Sequence, residues 1–93
     1  MDKKIELETV KRNVVKSLHK YSYYNKRHTP IKHVCKRLPK ISCKKVKKAI
    51  KELKNESIIT VKPTYHGADV SLNVKKKKEI DKYLSMANQY PKK

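Results

Sequence analysis

Apolar residues at helical spacing predict three helices in the first 55 residues. A first helix over about 6–22 is predicted by residues recurring every three or four positions, Leu7, Val10, Val14, Leu18 and Tyr21. A second helix over about 30–38 has Thr29 as its cap and Pro30 in its first turn, and Pro39 ends it. Ser42 caps a third helix over about 43–55, whose apolar face is Cys43, Val46, Ala49, Ile50 and Leu53.

The period of the pattern changes to two after residue 57. A short β-branched run begins at Ile58, and residues 68–74 alternate apolar and polar, so we expect a hairpin over about 58–73. Gly67 is the only glycine, and it supplies the positive φ that the hairpin loop needs. Asn73 caps a last helix over about 74–89. The prediction is one α+β domain over 1–93, mainly helical.

Composition narrows the function classes. One glycine in 93 residues excludes the glycine-rich loops that bind dinucleotides or nucleoside triphosphates. No apolar run approaches the roughly 20 residues that span a bilayer, and the first residues lack the apolar segment of a signal peptide. We therefore expect a cytoplasmic protein that does not contact membranes.

The formal charge of +18 points to a polyanionic partner. Residues 31–57 carry ten basic and two acidic residues, whereas residues 58–74 carry one of each. A charge this large repels itself in the compact state, and binding to nucleic acid releases counterions that drive association. A solubilising surface and an anionic membrane are the alternatives.

The predicted order of three helices, a hairpin and a further helix resembles the winged helix-turn-helix family. The segment Val46–Leu53 running into Ile58 and Ile59 is similar to the family's recognition helix and following strand. Residues 62–73 are similar to the wing of small archaeal members. The chain departs from the family at Glu56-Ser57, where Glu-Gly is common. The resemblance implies that the third helix enters the DNA major groove and that the wing contacts the backbone or minor groove.

The third helix carries a basic face opposite its apolar face. That face consists of Lys44, Lys47, Lys48, Lys51 and Asn55. Further candidate DNA contacts are Lys62, Tyr65 and His66 at the wing, and Lys32 and Lys40 flanking the turn. An ordinary solvated lysine face is the alternative, and Tyr65 and His66 could simply order the wing. No arginine lies on this helix, so we expect more affinity than sequence discrimination.

His28, His33, Cys35 and Cys43 raise the question of a zinc site. The seven residues between the cysteines do not match the short spacing of structural zinc ligands. Both cysteines occupy apolar helical positions, so we expect reduced core cysteines and no metal. A disulfide is the third alternative, because the second helix and the start of the third pack together.

No residue set predicts catalysis or a cofactor. The acidic pairs Glu6 with Glu8 and Glu79 with Asp81 are each two residues apart, which places them on different helix faces. His33 and Cys35 fail as a base and nucleophile for the same reason. We therefore expect a binding protein and not an enzyme.

Two sets of residues, the tyrosines after the first helix and the apolar face of the last helix, each have two interpretations. Tyr21, Tyr23 and Tyr24 lie beside Lys20, Lys26 and Arg27 and could stack on unpaired bases, although Tyr21 continues the apolar stripe and is predicted to join the core. In the last helix, Ile80, Tyr83 and Leu84 form either a homodimer surface or a packing face for their own domain.

The favoured function is duplex DNA binding by a transcriptional regulator or a weakly selective DNA-associated protein. An RNA-binding or ribosome-associated winged helix is the first alternative. A protein-interaction module of the transcription machinery is the second, since fold alone does not choose among them.

Overall fold

The computed structural model describes residues 2–65 and 67–88, with side chains for 7–65 and 67–85. The described residues form an α+β fold that is mainly helical, with four α-helices and a three-stranded antiparallel sheet. In chain order its elements are α1 (Asp2–Lys20), β1 (Thr29–Pro30), α2 (Ile31–Arg37), α3 (Cys43–Asn55), β2 (Ile59–Thr64), β3 (Gly67–Leu72), a 3₁₀ turn (Val74–Lys76) and α4 (Lys77–Asn88). No helix in this part of the chain has the length and apolar character needed to cross a bilayer.

The sheet has the order β1-β3-β2, with β3 in the centre. The prediction that Thr29 and Pro30 open the second helix was wrong, because these residues form β1 and pair with Val70 and Asp69. Pro30 has φ −61° and ψ 146°, and no side chain caps α2. The fixed φ of proline suits an extended residue as well as a first helical one, and an edge strand does not need its missing N–H. The helix begins at Ile31 and ends at Arg37.

The core lies between α1, the other helices and one face of the sheet. α1 packs against both α3 and α4. The side chains with no exposed surface include Val14, Val15, Leu18, Val34, Val46, Ala49, Leu53, Val70, Leu72 and Ile80. Because Ile80 is fully buried within its own chain, the structure does not support a homodimer surface formed by Ile80, Tyr83 and Leu84; Tyr83 and Leu84 are partly buried against the same core.

α1 and α3 end in the same way, each at a serine in the left-handed conformation. Ser22 has φ 59° and Ser57 has φ 64°. At α1, Ser22 N donates to His19 O and Tyr23 N to Leu18 O; at α3, Ser57 N donates to Lys54 O and Ile58 N to Leu53 O. This is the Schellman arrangement that satisfies the last helical carbonyls. It ends α1 at Lys20, two residues before the predicted end, and α3 at Asn55 as predicted.

Tyr21 does not extend the apolar face of α1, because the helix ends at Lys20. Its side chain is 41% exposed, so the prediction that this ring joins the core was wrong. Tyr23 and Tyr24, further along the same segment, are partly buried against the core.

The hairpin and α4 follow the predicted positions with local differences. The strands are longer than the pattern indicated, so only Tyr65 and His66 lie between them, and Pro63 lies within the edge strand β2. Gly67 has φ +129°, which confirms the predicted need for a glycine. The Asn73 side chain accepts from Lys75 N at 3.0 Å, as expected of the cap. The predicted last residue of this helix, 89, lies outside the described residues.

Candidate nucleic-acid interface

α3 has one buried face and one exposed basic face. Val46, Ala49, Ile50 and Leu53 pack into the core. Opposite them, five side chains predicted to contact nucleic acid are all exposed, Lys44, Lys47, Lys48, Lys51 and Asn55. The Ser42 hydroxyl accepts from Lys45 N at 3.3 Å and so caps the helix where its basic face begins. Residue spacing alone therefore predicted which side of this helix faces the solvent.

Four elements meet beside this face. A shallow depression of about 280 Å³ is lined by the end of β1, the start of α2, the middle of α3 and the first residues of β3, namely Pro30, Ile31, Lys32, Lys47, Gly67 and Ala68. The structure therefore brings Lys32 and Lys47 together with one end of the hairpin. Lys40 is exposed in the turn between α2 and α3.

The hairpin contributes two further described candidates. Lys62 is exposed on β2, and Tyr65 is fully exposed where the hairpin turns. The Tyr65 ring has no packing role among the described residues, which argues against the alternative that it orders the wing. His66 lies outside the described residues.

No carboxylate in the described part of the chain pairs with the lysines of the basic face. From Thr9 to Lys51 the chain contains no Asp or Glu, although fifteen Lys and Arg residues lie in that stretch. Among the described residues, the acidic groups bond to Lys11, His28 and Lys77, and none pairs with Lys44, Lys47, Lys48 or Lys51. The ammonium groups of these four lysines are therefore available to an external anion.

The acidic group at the end of α3 is engaged elsewhere. The buried Lys11 ammonium on α1 donates to Glu56 Oε2 and to Glu8 Oε2, and the Tyr83 hydroxyl of α4 donates to Glu56 Oε1 at 3.0 Å. Burial opposes the charge on Lys11, but hydrogen bonding with Glu56 and Tyr83 outweighs it and raises the pKa of Lys11 above its usual range. Burial likewise raises the pKa of Tyr83. These bonds join α1, α3 and α4.

Cys35 and Cys43 form a disulfide, so the prediction of reduced core cysteines was wrong. Cys43 is the first residue of α3 and is exposed, while Cys35 on α2 is half-buried. The helical wheel assigned Cys43 to the apolar face, but the first turn of α3 projects beyond the core. Their Cα atoms are 5.1 Å apart, which ties α2 to the start of the basic helix. No cluster of three or more possible metal ligands occurs in the described part of the chain.

Sequence reasoning missed two groups of contacts. His28 Nδ1 lies 2.7 Å from Asp69 Oδ2, a hydrogen bond that holds the segment before β1 against β3. Arg37, at the end of α2, places its guanidinium over the Tyr21 ring. Residues separated by 41 and 16 positions meet in these pairs, and no local pattern marks either of them.

No protein-family model, curated protein or solved structure matches this chain. Its function is therefore inferred from its own residues.

Proposed function

We propose that this chain is a winged helix-turn-helix protein that binds duplex DNA, with α3 in the major groove and the β2–β3 hairpin beside it. The role is that of a transcriptional regulator or a weakly selective DNA-associated protein. The observation that carries the proposal is the exposed lysine face of α3, which adjoins Lys32 and one end of the hairpin and whose lysines have no carboxylate partner among the described residues. A duplex is the polyanion whose groove admits such a helix.

The order of elements supports the family assignment. α2 and α3 are joined by the short turn 38–42, and a hairpin follows α3 directly. The Ile41 N–H donates to Leu38 O at 3.0 Å, and the disulfide spans the same turn. The two helices are thus held as a fixed pair, as a helix-turn-helix requires.

The residue types favour affinity over sequence reading. Lysine is a flexible point charge that neutralises phosphate, whereas base recognition uses planar groups that form two hydrogen bonds. Asn55 is the only side-chain amide on α3, so it is the group best suited to a base edge. The four lysines of the face then fix the helix on the backbone.

Fluorescence anisotropy with labelled DNA and RNA duplexes of equal length tests the proposal. Wild-type protein should bind DNA more tightly than RNA, because the RNA major groove is too narrow for a helix. Lys48→Glu should weaken DNA binding at least about tenfold, since one phosphate contact is lost and a repulsive charge is added. Lys78→Glu, an exposed site on α4, is the control with the same change in charge.

Each contrary result has a definite meaning. Equal weakening by both variants would show that total charge and not the α3 face governs binding. Equal or tighter binding to RNA would replace the proposal with the RNA-binding alternative. Absence of binding to either duplex would favour a protein-interaction module.

A further inference from the structure

Tyr21 is an exposed aromatic ring on an ordered backbone. It follows the last residue of α1, and its side chain is 41% exposed. The segment after it is held by Tyr23 N donating to Leu18 O at 2.9 Å and by Leu72 N donating to Tyr23 O at 2.8 Å. Tyr24 is turned to a different partner, with its hydroxyl 2.8 Å from His19 Nδ1. Of the three tyrosines in this segment, only Tyr21 is exposed.

The Arg37 guanidinium lies over this ring. Its Cζ lies 4.2 Å from the centroid of Tyr21 and 5.5 Å from that of Tyr23. One guanidinium nitrogen, Nη1, is buried and has no hydrogen-bond partner among the described residues. In the part of the chain that the structure describes, the guanidinium lies against the two rings and forms no ion pair with a carboxylate.

Further cations surround the pair. Lys20 Nζ lies 5.8 Å from the Tyr21 centroid, and Arg27 Cζ lies 5.6 Å from the Tyr23 centroid. This cluster lies within the stretch of the chain that has no acidic residue. Two of the three arginines of the protein are here, and none is on α3. These cations are therefore better suited to bind an anionic ligand than to pair with a carboxylate of the same chain.

The ligand must also have a flat surface. An exposed ring held by a planar guanidinium is preordered for stacking, so little side-chain entropy is lost when a second ring binds. Unpaired bases of a nucleic-acid strand stack on tyrosine and on arginine, and each nucleotide carries a backbone phosphate that nearby cations attract. Bases within a duplex are already stacked on one another and are not available to such a surface.

We infer that the Tyr21–Arg37 pair binds an unpaired base of single-stranded nucleic acid, with Lys20 and Arg27 attracting the adjoining phosphates. This is a second site, and it uses none of the α3 lysines. It would let the protein engage single strands, overhangs or loops independently of duplex binding.

Anisotropy with labelled oligothymidine and oligouridine of equal length tests the site and distinguishes DNA from RNA strands. Tyr21→Ala should weaken binding to the preferred strand about 5- to 150-fold, the range for loss of one stacked base. Tyr21→Phe keeps the ring and should bind within about twofold of wild type. Val74→Ala removes an exposed apolar side chain that belongs to neither proposed site and should have no effect.

A spectroscopic test reports stacking directly. The chain has no tryptophan, so Tyr21→Trp introduces a single indole whose emission should be quenched when the oligonucleotide binds. Val74→Trp, at another exposed apolar position, should show no quenching. Unchanged single-strand affinity in Tyr21→Ala, or an equal loss in Tyr21→Ala and Val74→Ala, would overturn the site. Because Lys48→Glu affects the duplex and Tyr21→Ala the single strand, failure of either proposal can be distinguished from failure of the other.

Discussion

At the scale of single residues, the two left-handed serines are the least expected feature of the chain. A residue with a Cβ loses roughly 1–2 kcal/mol in this conformation, whereas glycine does not. Ser22 and Ser57 nevertheless occupy the positions where helices most often have glycine. Their capping hydrogen bonds, together with the buried contact of Leu53 and Ile58 at α3, offset that loss.

Ser57→Gly is therefore expected to stabilise the protein. Removing the strain of a φ of 64° should add about 1 kcal/mol, which corresponds to a rise in Tm of about 4–8 °C for a domain of this size. Ser17→Gly, in the body of α1, is the matched control and should lower the stability by about 0.5 kcal/mol. Thermal unfolding followed by circular dichroism measures both. A lower Tm for Ser57→Gly would show that the serine side chain has a role beyond the cap.

Glu56 provides a second prediction at the residue scale, because its carboxylate accepts a hydrogen bond from the buried Lys11 ammonium. Glu56→Ala leaves the Lys11 side chain, 4% exposed, with Glu8 as its one carboxylate partner among the described residues, and should cost about 1–3 kcal/mol of unfolding free energy. Lys11→Met fills the same space without a charge and should cost less than about 1 kcal/mol. Urea unfolding of both variants checks the order. A larger loss for Lys11→Met than for Glu56→Ala would contradict it.

At the scale of elements, the cross-link between α2 and α3 is the main addition to what the pattern predicted. Cys35 and Cys43 enclose a short loop that contains the turn of the helix pair. Closing a loop of this length limits the unfolded chain and is worth about 2–3 kcal/mol. The disulfide therefore fixes the start of α3, where Lys44 lies, relative to α2.

Reduction should lower the stability of the protein measurably. We expect dithiothreitol to reduce the Tm by about 10–20 °C, which follows from the loop entropy and the size of the domain. A Cys35→Ser/Cys43→Ser double variant should unfold at the lower temperature with or without reductant. A Tm that reductant leaves unchanged in the wild-type protein would contradict a structural role for this disulfide.

Helices and strands were predictable where one local pattern decided them. The bounds of α3, its buried face, the Ser42 cap and the need for Gly67 all follow from spacing and turn chemistry. β1 was not predictable, because two residues carry no period and Pro30 suits a helix start equally well. The pairing of Arg37 with Tyr21 and of Cys35 with Cys43 depends on how elements pack, which one sequence does not specify.

At the scale of the whole molecule, the charged side chains fall into two groups. One group bonds within the protein, and the other faces the solvent. The acidic groups of Glu8, Glu56 and Asp69 bond to Lys11 and His28 and so hold the fold together. Lys44, Lys47, Lys48 and Lys51 have no such partners among the described residues, and their mutual repulsion is relieved when a polyanion binds. The candidate residues were predictable from the pattern, whereas their proximity to Lys32 and the hairpin required the structure.

The salt dependence of duplex DNA binding tests the central claim most directly. If about six to eight phosphates are contacted, log K against log salt should have a slope of about −5 to −7 for the wild-type protein. Lys47→Ala/Lys48→Ala should reduce its magnitude by about 2, one unit for each lost contact. Lys75→Ala/Lys78→Ala, with the same change in charge, should leave the slope unchanged. Equal slopes for the wild-type protein and the α3 variant would contradict binding through this helix.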